Sequence, residues 1–172
     1  MTYQGLSYPV CLSYNSIGNL SVQLPQGPMS DAHNIYLFVN IIDDTLGTTV
    51  CNLTSPIPVT PNSLLVQDLM GSISSNDMTN SIYADLNSGN LNLVTNNVVS
   101  LSTALNIQIS ESGGAIFLNS SVNNQMASLR DYMIQKVSNL CVSDVSSIKV
   151  ISSALSMATQ VFYQISSSSA VN

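Results

Sequence analysis

The stretch Pro56-Ile57-Pro58-Val59-Thr60-Pro61 decides the fold, because the spacing of apolar residues changes across it. Before it, apolar residues alternate with polar ones, as in Leu20, Val22 and Leu24, a pattern that is typical of half-buried strands. After it, apolar residues recur every three or four positions, which is the period of a helix. The sequence therefore predicts an α+β chain of two parts, residues 1–61 and residues 62–172.

The first part is predicted to contain short strands separated by turns rich in Asn, Asp, Gly and Pro. The strands are expected at residues 10–14, 20–24, 34–42, 48–53 and 57–60. The prolines near the last strand suit an edge position, because proline cannot donate to a β-ladder. Since so few strands cannot bury a face alone, we interpret residues 1–61 as the C-terminal part of an antiparallel β-sandwich whose front strands lie outside this chain.

The second part is predicted to be an antiparallel array of five helices joined by short connections. Asn62 or Ser63 is the expected N-cap of the first helix and Ser143 that of the fifth, because both residue types accept hydrogen bonds from the first helical N–H groups. Residues 110–121 are the expected long loop. The apolar stripes are Leu64, Leu65, Leu69, Met70 and Ile73; Met78, Ile82, Tyr83 and Leu86; Val94, Val98, Leu101 and Leu105; Val122, Met126, Leu129, Met133, Val137 and Leu140; and Ile148, Ile151, Leu155, Ala158, Phe162 and Ile165.

The composition excludes several function classes. Charged residues make up 7% of the 172 residues, against roughly 25% in ordinary soluble domains. With a net charge of -6 and Arg130, Lys136 and Lys149 as the cations, little can neutralise phosphates, so we expect no nucleic-acid partner and no binding to anionic membranes. No apolar run is long enough for a transmembrane helix, and the first residues lack the basic region of a signal peptide, so we expect a fragment or an incomplete gene product.

Three triplets match the N-glycosylation acceptor pattern, Asn19-Leu20-Ser21, Asn52-Leu53-Thr54 and Asn119-Ser120-Ser121. They indicate an extracellular glycoprotein, although such triplets also arise by chance in a chain rich in Asn and Ser. The cysteines are compatible with the same compartment. Cys11 and Cys51 both fall in predicted strands and are a possible disulfide, with two buried free thiols as the alternative. Cys141 is left over, either as a core residue or as the partner of a cysteine outside the chain.

Several segments resemble a known family. The run Val39-Asn40-Ile41-Ile42-Asp43-Asp44-Thr45-Leu46-Gly47, followed by Ser55-Pro56-Ile57-Pro58-Val59-Thr60, resembles the closing hairpin of PKD-like and fibronectin-III-like sandwiches. The helical runs Leu129-Arg130-Asp131-Tyr132-Met133-Ile134, Val142-Ser143-Asp144-Val145-Ser146-Ser147-Ile148 and Ser152-Ser153-Ala154-Leu155-Ser156-Met157-Ala158-Thr159 resemble the stretch before the autoproteolysis domain in the receptor-for-egg-jelly (REJ) region of the large, receptor-like polycystins. The resemblance covers most of the chain.

The resemblance implies a non-catalytic module on the extracellular face of a membrane receptor that senses ligands or force. Its implied partners are an extracellular protein or glycan ligand, the other domains of the parent receptor and, through that parent, a polycystin cation-channel subunit. The family's self-cleavage motif, His-Leu followed by Ser or Thr, is missing, since His33 precedes Asn34. We expect no enzymatic activity, cofactor or metal. The alternative from the composition is a structural adhesin or fibre segment.

Rival site chemistry is weak in this sequence. His33, with Asp31 before it, is the single imidazole, but no nucleophile elbow or Gly-rich oxyanion loop accompanies it. Asp43 and Asp44, with Asp31, offer oxygen ligands for calcium, but in too small a number for a dedicated site, so a turn with solvated acids is the better interpretation.

Two further groups fit ordinary structure better than a site. Glu111 with Gly113-Gly114 lacks the following Lys and Ser or Thr of a phosphate-binding loop. Tyr132 and Tyr163 near Met133 and Met157 suggest a cleft between the fourth and fifth helices, but core packing at helical spacing explains them better.

Overall fold

The computed structural model describes residues 2–3, 6–7, 24, 26–42, 47–62, 64–113 and 120–166. Within them the chain is mixed α+β, and helices dominate. The helices are α1 (Leu65–Ser75), α2 (Ser81–Asn87), α3 (Leu91–Glu111), α4 (Ser120–Ser138) and α5 (Val145–Ala158). The strands are β1 (Thr2–Tyr3), β2 (Leu6–Ser7), β3 (Asn34–Ile35), β4 (Phe38–Ile42), β5 (Thr48–Asn52) and β6 (Ile57–Pro58).

The core is built around α3, the longest helix. Every residue from 94 to 103 is buried, so α3 has no solvent face along this stretch. The predicted apolar stripe of Val94, Val98, Leu101 and Leu105 is buried, and Leu69 of α1, Leu86 of α2, Leu129 of α4 and Ala154 of α5 belong to the same core cluster. Helix α3 is therefore the element that holds the array together.

Three of the buried polar side chains of α3 donate hydrogen bonds to the backbone of their own helix. The hydroxyl groups of Thr95 and Thr103 donate to the carbonyl oxygens of Leu91 and Val99, each at 2.7 Å. The Asn97 side chain donates to the Leu93 carbonyl oxygen at 2.9 Å. Such bonds satisfy a polar group that would otherwise cost free energy in the core.

The fifth helix differs from its prediction at both ends. Its N-cap is Asp144 rather than Ser143, and Asp144 and Ser147 form a reciprocal capping box. The helix ends at Ala158, so Phe162 and Ile165 do not continue its stripe; Phe162 begins a 3-10 turn over Phe162–Gln164 and is 77% exposed. Ile148 is 50% exposed, because the buried face of α5 is formed by Ser147, Ala154, Met157 and Ala158. The prediction that Ile148 and Phe162 lie on the buried stripe was wrong.

The first helix also begins one residue later than the predicted stripe. Leu64 holds the N-cap position without a side-chain hydrogen bond and is exposed. Asn62 still contributes, because its Oδ1 accepts a hydrogen bond from the Leu64 N–H at 3.0 Å. Ser63, the other predicted cap, lies outside the described residues.

The strands form separate two-stranded antiparallel ladders, in which β1 pairs with β2, β3 with β6 and β4 with β5. The predicted strand over residues 34–42 is split at Tyr36 and Leu37, because β3 and β4 pair with different partners. The predicted strands at residues 10–14 and 20–24 lie almost entirely outside the described residues.

The described residues do not form a clear β-sandwich. All five residues of β5 and both residues of β6 are exposed, so no second sheet covers them in the part of the chain that the structure describes. A face with nothing packed on it gains little from apolar burial. The backbone N–H of Met29, in the segment before β3, donates to Glu111 Oε1 at the end of α3 at 2.6 Å.

Candidate functional site

The most unusual side chain is that of Arg130 in α4, which is 0% exposed. It lies on the apolar side of the helix, since Met126 precedes it by one turn and Met133 and Ile134 follow by one turn, and all three are buried. A fully buried arginine is rare unless it is paired. Arg130 is therefore the strongest candidate for the centre of a functional site.

The Arg130 guanidinium bonds to three neutral oxygen atoms from different parts of the helical array. Its Nε donates to Gln164 Oε1 at 2.8 Å, its Nη1 to the Ala158 carbonyl oxygen at 3.2 Å, and its Nη2 to Asn106 Oδ1 at 2.6 Å. These acceptors belong to the 3-10 turn, the end of α5 and the last third of α3. Arg130, which lies in α4, thus links α3, the end of α5 and the 3-10 turn.

The acceptors are themselves held in place by further polar contacts. The Gln164 Nε2 group donates to Asn123 Oδ1 in α4, and the Asn106 Nδ2 group donates to Gln160 Oε1 at 2.5 Å. Because Asn106 lies late in α3 and Gln160 directly after α5, these helices have their C-terminal ends on the same side of the array. We call Arg130, Asn106, Asn123, Gln160 and Gln164 the arginine network.

Residues 160–166 form a short segment, the strap, which covers Arg130 and contributes Gln160 and Gln164 to the arginine network. Gln164 is its buried anchor, and the Ser166 N–H donates to Asp131 Oδ1 at 3.0 Å. Val161 and Ile165 pack against the core from partly buried positions. Phe162 and Tyr163 point outward instead, with their rings in an edge-to-face pair at a centroid distance of 5.4 Å.

The electrostatics of Arg130 follow from its burial. Removal from water lowers the pKa of the guanidinium to about 10, while the nearby Tyr163 phenol acts in the opposite direction. No carboxylate among the described residues forms an ion pair with it. With a pKa of about 10 the group still carries its charge at neutral pH, so it can bind anions or carbonyl oxygens but cannot exchange protons as an acid or base.

A second polar cluster lies between α2 and α4 and is smaller. The Tyr83 and Tyr132 rings stack at a centroid distance of 6.2 Å, and Lys136 Nζ lies 4.9 Å from the centre of the Tyr132 ring. The Tyr132 hydroxyl is hydrogen bonded to Asn87, and the Tyr83 hydroxyl donates to Asn76 Oδ1 at 2.6 Å. Burial is the main cause that raises the pKa of Tyr83. These contacts close α2 onto α4.

The structure separates the residues of the predicted cleft between the fourth and fifth helices. Met133 and Met157 are buried in the core cluster. Tyr132 packs against Tyr83, whereas Tyr163 pairs with Phe162 and is exposed. Core packing therefore accounts for the methionines, as the sequence favoured.

The predicted glycosylation and disulfide residues are described only in part. Asn52 is exposed at the end of β5, and the next N–H, of Leu53, bonds to the Leu37 carbonyl oxygen at 3.0 Å. Asn19, Asn119 and Cys11 lie outside the described residues. Cys51 and Cys141 are exposed, so neither is a buried core residue. The pairing of Cys51 with Cys11 therefore stays a prediction.

The imidazole of His33 belongs to a tight turn. Its Nδ1 lies 2.9 Å from the Gly27 carbonyl oxygen, and a carbonyl can only accept, so Nδ1 carries the proton. Ala32 and His33 have left-handed backbone angles. A Cβ atom at Gly27 would lie 2.2 Å from the His33 carbonyl oxygen, so this turn requires glycine. His33 therefore has a structural role in fixing the approach of residues 27–33 to Val59.

Of the acidic residues weighed as sites, Asp31 and Glu111 have hydrogen-bond partners among the described residues. A hydrogen bond to Asp31 is the main cause that raises the pKa of Tyr36, while Asp43 and Asp44 lie outside the described residues. Glu111 accepts the bond from Met29, and Gly114 is not described. Among the residues that the structure describes, no three His, Cys, Asp or Glu side chains converge on a metal position. None of the helices in those residues has the length and apolarity needed to span a bilayer.

The arginine network was not found from the sequence, although one signal was present. Arg130 falls between Met126 and Met133 on a stripe of apolar residues, and a charge at such a position predicts a buried polar contact. Its partners gave no signal, because Asn106 and Gln164 are 24 and 34 residues away in the chain and polar residues are common throughout. Comparisons with protein-family models, curated proteins and solved structures find no match to this chain.

Proposed function

We propose that this chain is a non-catalytic extracellular module of a larger, polycystin-like membrane receptor. In this proposal the helical array, residues 62–172, is a REJ-like spacer, and its surface binds an extracellular protein or glycan or transmits force. The other domains of the parent receptor, and a channel subunit associated with that parent, supply the cation flux. In this proposal the chain itself supplies no catalytic, cofactor or metal site.

The main observation in support of this proposal is the structural role of Arg130. Arginine commonly binds carboxylate or phosphate groups in sites, yet here it holds α3, α4, α5 and the strap together through neutral oxygens. Asp144 caps α5 and His33 fixes a turn. Side chains that perform chemistry in enzymes serve the architecture in this chain, which favours a scaffold.

The surface supports an extracellular place for the module. Ser, Asn, Thr and Gln provide most of the polar groups, since charged residues make up only 7%. Asn52 of the sequon Asn52-Leu53-Thr54 is exposed, as an accepted glycosylation site must be. The resemblance to the REJ region adds the membrane-tethered parent.

The first part of the chain, residues 1–61, is proposed to be the C-terminal part of a β-sandwich. Both faces of β5 are exposed, so the β4–β5 ladder offers a surface on which a further sheet can pack. A two-stranded ladder is marginal alone. The packing partner in this proposal is a set of strands from the same sandwich.

Secretion and glycosylation test the proposed compartment. We would express the chain behind a signal peptide in eukaryotic cells and measure its mass before and after glycosidase treatment. Thr54→Ala removes the Asn52 sequon and is expected to remove one glycan, whereas the matched Thr54→Ser keeps the sequon and the glycan. A secreted, folded chain with no glycosidase-sensitive mass at Asn19, Asn52 or Asn119 would contradict the proposal.

The absence of catalysis is tested separately. A panel of hydrolase substrates is expected to show no turnover by the folded chain. Turnover that His33→Ala abolishes and that a fold-preserving control keeps would replace the scaffold proposal with an enzyme, because His33 is the single imidazole available as a general base.

A structural adhesin or fibre segment is the second candidate. The exposed β5 and β6 favour it, because open strands can pair with other copies of a chain. Analytical ultracentrifugation separates the two proposals. The receptor module is expected to sediment as a monomer, and a stable homotrimer would favour the fibre.

A further inference from the structure

We propose that the strap, residues 160–166, is a displaceable cover over a carboxylate-binding site centred on Arg130. In the closed state described here, Gln164 occupies the position of the ligand. In the open state, a carboxylate from another molecule bonds to the guanidinium. This inference goes beyond the proposed function and does not depend on it.

The first argument is the unfilled capacity of Arg130. A guanidinium has five N–H donors, and three of them have partners among the described residues. The group is fully buried and has no carboxylate partner in that part of the chain. Burying a cation without a counterion carries a large desolvation free energy that nothing offsets. An anion that reaches Arg130 is therefore expected to bind more favourably than a neutral group.

The second argument is the chemistry of the Gln164 side chain. Its Oε1 accepts from Arg130 Nε at 2.8 Å, which is the contact that one oxygen of a carboxylate makes with arginine. An amide has a single acceptor oxygen, whereas a carboxylate has two and carries the opposite charge. Gln164 is thus a weak, neutral substitute for a carboxylate at this position.

The third argument is how the strap is attached. It contains a single 3-10 turn and no α-helix, and its buried anchor is Gln164. Further attachments include the bond from Gln164 to Asn123, the Gln160 contact with Asn106, the bond from the Ser166 N–H to Asp131, and partly buried Val161 and Ile165. Short segments with few buried apolar contacts open at a lower free energy than core helices do.

Opening the strap uncovers a group of residues suited to a carboxylate. Arg130 supplies the charge, and the Asn106 Nδ2 group, released from Gln160 Oε1, supplies amide N–H donors. Phe162 and Tyr163 already face solvent in the closed state, so the strap can leave without first exposing large rings. A ligand that binds only the open state shifts the population toward it.

Hydrogen exchange and NMR of the full chain test this proposal with acetate as the probe. The amides to follow are those of Gln164, Ile165 and Ser166, whose bonds lie within the strap or to Asp131. Acetate is expected to speed their exchange several-fold, with saturation, and to shift the Arg130 Nε–Hε signal along the same titration. Sodium chloride at equal ionic strength is expected to change neither.

Two variants of the strap provide the matched comparison. Gln164→Glu places a carboxylate of the chain itself at Arg130, so strap exchange is expected to slow and to lose its dependence on acetate. Phe162→Glu adds the same charge to the same strap at a residue that is 77% exposed and lies outside the arginine network, and it is expected to keep the acetate effect.

The result that would overturn the proposal is an Arg130 signal and strap exchange that do not respond to acetate in the unmodified chain. This measurement needs no variant, so it decides the matter even if Gln164→Glu fails to fold. An equal response in Gln164→Glu would also overturn the proposal. If phosphate acts and acetate does not, the assignment of a carboxylate ligand is wrong.

Discussion

Replacing Arg130 by Met measures what the arginine network contributes to stability. Methionine fills much of the same volume but leaves the oxygen atoms of Asn106, Ala158 and Gln164 without their donor. A buried acceptor without a partner costs about 1–3 kcal/mol. The removed charge offsets part of this loss, because burial lowers the pKa of the guanidinium to about 10, which corresponds to about 3 kcal/mol at roughly 1.4 kcal/mol per pKa unit. We expect a net loss of about 3 kcal/mol in the free energy of unfolding.

A double-mutant cycle with Gln164→Leu separates the network from general damage. Gln164→Leu alone leaves Arg130 Nε and Asn123 without their partner, and we expect a loss of about 1–3 kcal/mol. The double variant has fewer orphaned groups than the two single variants together, so the coupling energy is expected to be about 1–3 kcal/mol. Urea unfolding followed by circular dichroism at helix wavelengths gives all four values.

Lys149→Met serves as the matched control. This substitution also replaces a charged residue by methionine, but Lys149 is exposed on α5. The change in the free energy of unfolding should therefore stay within about 0.5 kcal/mol and should add to that of Gln164→Leu. If Arg130→Met is as stable as the parent chain, or if its cycle with Gln164→Leu shows no coupling, the reasoning about the buried network is refuted.

Two further predictions test the packing and the capping of the helices. Met133→Ala is expected to lower the free energy of unfolding by about 2–5 kcal/mol because Met133 is fully buried. Ile148→Ala, on the exposed side of α5, is the control and should lower it by well under half as much. Equal losses in urea unfolding would contradict the buried face assigned to α5. The hydrogen bond from the Ser147 N–H is the main cause that lowers the pKa of Asp144 below 3.8, so the stability it confers should be complete above about pH 5 and lost as the pH falls through its folded-state pKa. Asp144→Asn, which keeps a capping oxygen without the charge, should flatten that part of the pH profile, and an unchanged profile in thermal unfolding would count against the cap.

The helices could be predicted from the sequence because their signals are local. The spacing of Val94, Val98, Leu101 and Leu105 located α3, and all four are buried as expected from that spacing. The end of α5 was missed because no Gly or Pro marks it. The strap leaves the helical path after Ala158, and its bond to Arg130 joins residues 34 positions apart, which no local pattern encodes.

The buried face of α5 was mistaken for a similar reason. Large apolar residues such as Ile148 defined the predicted stripe, but Ser147 and Ala154 face the core. Ser147 is accepted there because its hydroxyl group takes part in the capping box and so has its partners. Small buried residues bring helices close together, and hydrophobic spacing alone does not report them.

The strand region shows the limit of pattern reading for long-range pairing. The alternation over residues 34–42 predicted extended backbone, and β3 and β4 are indeed extended. It did not reveal that β3 pairs with β6 whereas β4 pairs with β5. Which strands pair depends on where the chain returns after a turn, and the local alternation of apolar and polar residues does not report that.

Native-state hydrogen exchange of α3 tests most directly the claim that the helical part closes around this helix. Amides of residues 94–103 are predicted to exchange slowest in the chain and only through global unfolding, because every one of these residues is buried. Exchange in α3 as fast as that of the exposed strand β5 would contradict the account.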